Sequence, residues 1–435
     1  MILYRCLFPV AFLVGLPFYA RRMIKRGGYG KRLADRFGFP PRPAFDRPGP
    51  VIWFQAVSVG EVLAIDPVLR ELRRRRPEAN LLLTTTTSTG FRLAREKAAE
   101  ADFLAYFPLD FWPLSARVWR LFRPSLCVLM EGELWPEHLH QARRRGVPVL
   151  LVNARLSDRS FRRYRLAGPL ARPLLRPLRR ILAASDEDAE RFRSLAPAGP
   201  PVGTAGNLKF DVDLPPKPEG EDRARSLRAT GLAASGEPAP LVLLGSSTWP
   251  GEEELLVGVV SELRAEGTAA KLVLVPRHAE RGDEIAAFLG RRGLPFSRRS
   301  TDGPADPANP VYLADTTGEL REFTALADLA FVGKSLPPNE GGQTPIEAGG
   351  CGVPVVYGPR MSNFKAACQG LETAGAALRC ADADEVRATL LRLARDPEER
   401  ARLSRRGREW HAANRGAVDR AVDAILAETG PSAGG

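Results

Sequence analysis

The 435-residue chain is predicted to be an α/β protein of two doubly wound, Rossmann-like domains, on three observations. From Val51 onward, apolar runs of strand length alternate with amphipathic stretches, the order that gives right-handed βαβ units around a parallel sheet. That series occurs twice, interrupted by the Pro- and charge-rich stretch DVDLPPKPEGEDRAR. A composition of 44% hydrophobic and 26% charged residues, with no solenoid repeat or low-complexity tract, is that of a globular chain too long for one core. The expected divisions are residues 1–36, a first domain over 37–208, a linker over 209–240, a second domain over 241–395, and C-terminal helices with a frayed tail over 396–435.

The opening run MILYRCLFPVAFLVGLPFYA is apolar apart from Arg5, and the basic residues Arg21, Arg22, Lys25 and Arg26 follow it. A secretory signal places its charges before the apolar run, so the order favours a single membrane anchor, spanning or re-entrant, with the basic cluster at the cytoplasmic face. Pro9 and Pro17 argue against a straight helix, and the alternative is a buried N-terminal helix of a soluble domain.

In the first half the strand candidates are VIWFQAV, NLLLTTTT, SLCVLMEG, VPVLLVNA and RILAAS. The first breaks at Ser58, Val59 and Gly60, and a helical pattern restarts at Glu61. Turns of this kind lie at the carboxyl ends of strands, where ligands bind, although an acidic residue there also compensates a helix dipole. Glu131 and Glu133 follow a later strand at the same sheet edge, and Asn153 and Arg155 follow the next. Converging carboxylates suit a site that takes a proton from a hydroxyl.

The second series is LVLLGSST, KLVLVPR, VYLAD, LAFVGKS and PVVYGP. Ser246, Ser247 and Thr248 offer hydroxyls and N–H groups at an expected helix start, a place for phosphate or equally a plain helix cap. Arg277 supplies a guanidinium for phosphate or carboxylate, or else a surface ion pair. Thr344, Pro345 and Glu347 fit a capping box, while the preceding Gly341 and Gly342 would let a ligand approach the helix N-terminus, with Glu347 on ribose hydroxyls.

Several classes are excluded. VGKS lacks the earlier glycine of a phosphate loop, since Asp328 stands there, and neither half shows G-x-G-x-x-G after its first strand. Five scattered cysteines, and His138 and His140 two residues apart, predict neither disulfides nor a metal site, and no cofactor is expected. A net charge of +12 points to acidic partners, yet no aromatic residues interleave the Arg-rich helices, so nucleic acid is not favoured.

Taken in order, WFQAVSVGE, TTTTSTG, EGELWP, VNARLS, GNLKFD, GSSTWPGEEE, VPRH, FVGKSL and GGQTPIEA…PVVYGPRMSNF resemble the 3-deoxy-D-manno-octulosonic acid (Kdo) transferases of lipid A assembly. The resemblance implies a two-Rossmann GT-B glycosyltransferase on the cytoplasmic face of the inner membrane. Such enzymes transfer Kdo from CMP-Kdo to a phosphorylated lipid A precursor, inverting the anomeric centre without a metal. Glu61 matches the family's catalytic base. Ser58, Gly60, Glu131, Glu133, Arg155 and Lys209 fall in motifs of the acceptor side, and Ser246, Ser247, Thr248, Arg277, Gly341, Gly342, Thr344 and Glu347 in those that hold CMP. The basic balance suits an anionic membrane surface. The pattern departs at Gln55 and at Gln343–Thr344, where the family usually carries His and His-Asn. The alternatives are another GT-B transferase, a nucleotide-sugar epimerase, or a membrane-attached nucleotide-binding protein without turnover.

Overall fold

The computed structural model describes residues 1–25, 32–168, 172–212 and 214–430. The chain divides into two compact units, one of Met1–Asp211 with Arg415–Gly435, the other of Val212–Asn414. The first unit holds β1 (Val51–Gln55), β2 (Asn80–Thr85), β3 (Phe103–Tyr106), β4 (Leu126–Met130), β5 (Val149–Ala154), β6 (Arg180–Ala183) and β7 (Val202–Thr204). They form one parallel sheet in the order β3-β2-β1-β4-β5-β6-β7.

The inner strands are apolar along their middles because both faces are covered, and their polar residues fall at the strand ends. Ile52, Phe54, Leu81, Leu83, Val128 and Met130 point to one side, against Val62, Ile65 and Leu69 of the helix Val59–Arg75 and Val422 and Ile425 of the helix Ala417–Thr429. Trp53, Leu82, Cys127 and Leu129 point to the other, where Trp119, Phe122 and Leu139 cover them. Because β1 lies between β2 and β4, the winding reverses there, and the turns after β1 and β4 flank the switch point where open α/β sheets bind ligands.

The second unit repeats the plan with β8 (Leu241–Thr248), β9 (Ala270–Pro276), β10 (Phe296–Arg298), β11 (Val311–Leu313), β12 (Leu329–Val332), β13 (Val355–Tyr357) and β14 (Ala377–Arg379). Their order is β10-β11-β9-β8-β12-β13-β14, so the switch point falls between β8 and β12. The expected linker is not all connector. Residues Gly220–Ala229 form a helix of this unit, with Leu227 buried and Arg223 bonded to Asp328 at 2.6 Å. Its many charges are a solvated helix face. Of the C-terminal helices, Pro397–Asn414 stays with the second unit and Ala417–Thr429 packs in the first.

The expectation of a membrane-crossing N-terminal anchor is not supported. Residues Ile2–Lys25 are helical, but among the described residues no helix is long and apolar enough to cross a membrane. Its first turns dock on the first unit instead. Arg5 Nε lies 2.8 Å from a carboxylate oxygen of the fully buried Glu137, the Tyr4 hydroxyl donates to Asp110 at 2.7 Å, and Phe8 stacks on Phe111. Burial pushes Asp110 up to about 6. A charge engaged with one buried carboxylate and a hydroxyl with another tie the run to protein, and Leu7, Val10, Leu13 and Val14 remain exposed. Arg26, the side chains of Arg21, Arg22 and Lys25, and the expected frayed tail from residue 431 lie outside the described residues.

Candidate active site

In the first unit Glu61 stands in the first turn of the helix that follows β1, almost fully buried. Its carboxylate accepts the Val57 N–H at 2.8 Å and the Ser58 hydroxyl at 2.9 Å, so the turn itself fixes the side chain. Burial raises its pKa, the charge of Glu131 adds to the rise, and the two hydrogen bonds and Lys209 oppose it. Gly60 leaves room beside the Lys209 ammonium, where a Cβ would lie 3.7 Å from Nζ.

Lys209 reaches this point because its turn is pinned to β5. Asn153 accepts the Leu208 N–H at 3.1 Å, and Asn207 accepts that of Lys209 at 3.0 Å. Lys209 then bonds Glu131 at 2.7 Å. Glu133 sits beside both acids, and burial with the Glu61 charge pushes it up to about 7. Thus Ser58, Gly60, Glu61, Glu131, Glu133 and Lys209 are brought together. Arg155 follows β5, with its N–H on the Glu131 carbonyl at 3.3 Å and no carboxylate on its side chain among the described residues.

Gln55 is fully buried and joins β1 to the end of β2 through Thr84 and Thr86. It is a strut inside the sheet edge. The hydroxyl-rich turn after β2 is likewise structural in part, since Thr87 caps the next helix through the Gly90 N–H and donates to the Val57 carbonyl.

In the second unit Ser246, Ser247 and Thr248 belong to the end of β8, not to a helix start. The register slips between Ser246 and Thr248, and Ser247 takes φ +55°. The helix begins only at Glu252, behind Gly251. The Thr248 hydroxyl is buried with no hydrogen-bond partner among the described residues. Arg277 follows β9, exposed and with no carboxylate on it among the described residues, its N–H on the Thr248 carbonyl at 3.2 Å.

The expected capping box does not close. Thr344 accepts the Ile346 N–H at 3.3 Å, but Glu347 turns to Arg321 at 2.9 Å, and the helix Ile346–Gly350 is a single short turn with little dipole. The pair Gly341 (φ +105°) and Gly342 (φ +70°) has a reason within the fold. A Cβ on either would collide with Asn363 or Met361 of the loop after β13.

Sequence reasoning passed over Glu252. Deeply buried, it accepts N–H groups from Trp249 (2.9 Å), Lys334 (2.9 Å), Ser335 (3.0 Å) and Leu336 (3.4 Å), and so ties the turn after β8 to the turn after β12. Desolvation outweighs these bonds and pushes it up to about 7. Its place three residues after Trp249 is the available signal, because that spacing lets a carboxylate reach back to a helix-entry N–H.

A family model described as 3-deoxy-D-manno-octulosonic-acid transferase matches residues 31–212. The 3-deoxy-D-manno-octulosonic acid transferase of Bordetella pertussis is 38% identical over 93% of this chain and 94% of its own length. That of Haemophilus influenzae is 32% identical over 94% of each. Among solved structures, MurG of Acinetobacter baumannii superposes with TM-score 0.55 over 87% of this chain and 99% of its own, at 14% identity, a likeness of fold alone.

Proposed function

The chain belongs to the Kdo transferase family, and we propose on that premise that it moves Kdo from CMP-Kdo to a hydroxyl of a phosphorylated lipid A precursor, with Glu61 as general base. The acceptor oxygen attacks the anomeric carbon as its proton passes to a Glu61 carboxylate oxygen. The bond from that carbon to the phosphate oxygen breaks, its electron pair leaving with CMP, and the anomeric centre inverts.

The observation that carries this reading is the Glu61 carboxylate, aimed by Val57 and Ser58 and partly desolvated at the switch point of the first sheet. Desolvation strengthens a carboxylate as a base, and a raised pKa brings it nearer the operating pH. Lys209 and Arg155 supply positive charge for a phosphorylated acceptor, while Glu131 holds Lys209 beside Glu61 and Glu133 adds a second buried acid. In the second unit Ser246, Ser247 and Thr248 at the end of β8, Arg277 after β9, and Gly341, Gly342, Thr344 and Glu347 after β12 are the residues the family resemblance gives to CMP. Donors at these turns would meet the charge that grows on the departing phosphate.

For the membrane, the exposed Leu7, Val10, Leu13 and Val14 support contact with the surface of the inner-membrane bilayer at its cytoplasmic face, without crossing it. The test is a labelled-Kdo transfer assay with CMP-Kdo generated in situ, a tetra-acylated lipid A precursor in detergent, and Glu61→Ala alongside. Labelled lipid from the wild type and at least about 100-fold less from the variant, with CMP affinity unchanged, supports the assignment. A variant that keeps its turnover removes Glu61 from the base role.

A further inference from the structure

Among the described residues, five other than glycine take positive φ: Arg123, Glu131, Asn153, Ser247 and Lys334. Arg123 caps a helix; the other four stand at the carboxyl ends of β4, β5, β8 and β12. Lysine has no short polar side chain with which to ease the left-handed conformation, as Asn and Asp do, and glycine would take it freely. Such a residue persists where its surroundings fix it and where its side chain has a use.

The surroundings of Lys334 are fixed closely. Its N–H is held by Glu252 at 2.9 Å, and its carbonyl accepts the Gly342 N–H at 3.0 Å. Gly333 before it packs so tightly on the Ser247 carbonyl that a Cβ there would collide. The turns after β8 and β12 and the Gly341–Gly342 pair therefore meet at this residue.

The side chain is left free of acids. The half-buried Lys334 has its ammonium 4.5 Å from the centre of the Trp249 ring, and no carboxylate pairs with it among the described residues. Glu252, the acid bonded to its own backbone, spends both oxygens on N–H groups. Trp249 also meets His278 edge to face at 5.5 Å, so the ammonium is steadied by an aromatic wall. β8 lies between β9 and β12; Arg277 follows β9 and Lys334 follows β12. Two cations without acid partners among the described residues thus flank the hydroxyl-rich end of β8, where the buried Thr248 hydroxyl has no partner among those residues either.

We propose that the Lys334 ammonium binds an oxyanion of the donor at the switch point of the second sheet, and is a specificity-determining residue of this chain. The inference rests on the reading of the second unit as the CMP-Kdo site. The donor carries two oxyanions, the CMP phosphate and the sugar carboxylate, and either presents the same chemistry to an ammonium.

The test uses the full-length chain with Lys334→Met, Lys334→Gly and Lys334→Arg, measuring CMP affinity by calorimetry, transfer kinetics against freshly generated CMP-Kdo, and thermal unfolding. A charged hydrogen bond lost without loss of fold predicts KM for CMP-Kdo raised about 10- to 100-fold in the Met and Gly variants, with the Arg variant close to wild type. The Gly variant should melt at the same temperature or higher, because it relieves the left-handed backbone, so its loss of affinity does not come from unfolding. Weakened CMP binding along with the KM change assigns the phosphate, and unchanged CMP binding with raised KM assigns the carboxylate. Met and Gly variants within about twofold of wild type in both measurements overturn the proposal, since a lysine that only packs on Trp249 predicts that result. A wild-type chain that transfers Kdo yet binds neither CMP nor CMP-Kdo through the second unit, with Arg277→Ala as silent as the Lys334 variants, overturns the donor reading itself and the inference with it.

Discussion

The two sheets share one topology and dress their switch points in opposite ways. At the first, between β1 and β4, three carboxylates gather around a single ammonium, and burial raises two of the three, Glu61 and Glu133. At the second, between β8 and β12, the acid is turned inward on backbone N–H groups while Arg277 and Lys334 keep no acid partner among the described residues. On the proposed reading, the same backbone plan serves as a proton acceptor in one unit and an anion receptor in the other. Side chains within a few residues of the strand ends decide which.

The sharpest way to break this contrast is at Glu61. Glu61→Gln keeps the shape and can still bond Val57 or Ser58, but it cannot take a proton. Turnover should fall at least about 100-fold with little change in CMP affinity. An active Gln variant, measured in the labelled-transfer assay, would move the base to Glu131 or Glu133.

In the second unit the matching strike is Glu252→Ala, which leaves N–H groups of Trp249, Lys334, Ser335 and Leu336 without their acceptor. Each buried orphan costs on the order of 1–3 kcal/mol, part of it recovered by water, so denaturant unfolding should show a loss of about 3 kcal/mol. KM for CMP-Kdo should rise with it, because the turns after β8 and β12 lose their common brace. Unchanged stability would mean that the turns hold themselves.

Lys209→Met tests the ammonium at the first switch point. Lys209 lowers the Glu61 pKa and pairs with Glu131, so its removal should drive Glu61 further up and leave Glu131 uncompensated. The acidic limb of the rate profile should move to higher pH, and the rate on that limb should fall. Lys209→Arg should restore most of the rate. A limb that stays in place would separate Glu61 from that limb.

The sequence made the middle of each sheet legible and left its edges dark. The ten strands expected from apolar runs are inner strands, and the four that sequence reading missed, β3, β7, β10 and β14, are the four edges. Edge strands here are only three or four residues long, and strands such as Arg298 or Arg379 end in carry charge because one side faces solvent. The placement of the candidate residues was legible where it follows from the end of an inner strand, as with Glu61, Glu131 and Arg277 after β1, β4 and β9. It was illegible where function follows from which backbone groups a turn leaves unpaired. The spacing of Glu252 from Trp249 signals only the bond to the Trp249 N–H, and the fold alone brings the N–H groups of Lys334 and Ser335 to it. The same holds for Glu347, whose capping role looked sound until Arg321 claimed it. The N-terminal run misled for a related reason, since the buried partners of Arg5 and Tyr4 come from residues more than a hundred positions away.

The smallest expected effect concerns Glu133, and it is visible only as a slope. Its pKa is pushed from the usual carboxylate range up to about 7 by burial and by the charge of Glu61. Between those values the folded chain holds a proton that the unfolded chain has released. Stability therefore falls as pH rises through this window, and the contribution is fully in place only below the unfolded value. Glu252 acts in the same direction, with a folded value also near 7. Glu133→Gln removes one of these groups without removing volume, so the fall in melting temperature from about pH 5 to about pH 7.5 should become shallower. It should not vanish, because Glu252 and the buried Asp110, raised to about 6, keep their share, and transfer at neutral pH should change by only about twofold, because Glu61 retains its own hydrogen bonds. An unaltered slope would place the Glu133 carboxyl in water, and the first switch point would then hold one desolvated acid where its charge pattern calls for two.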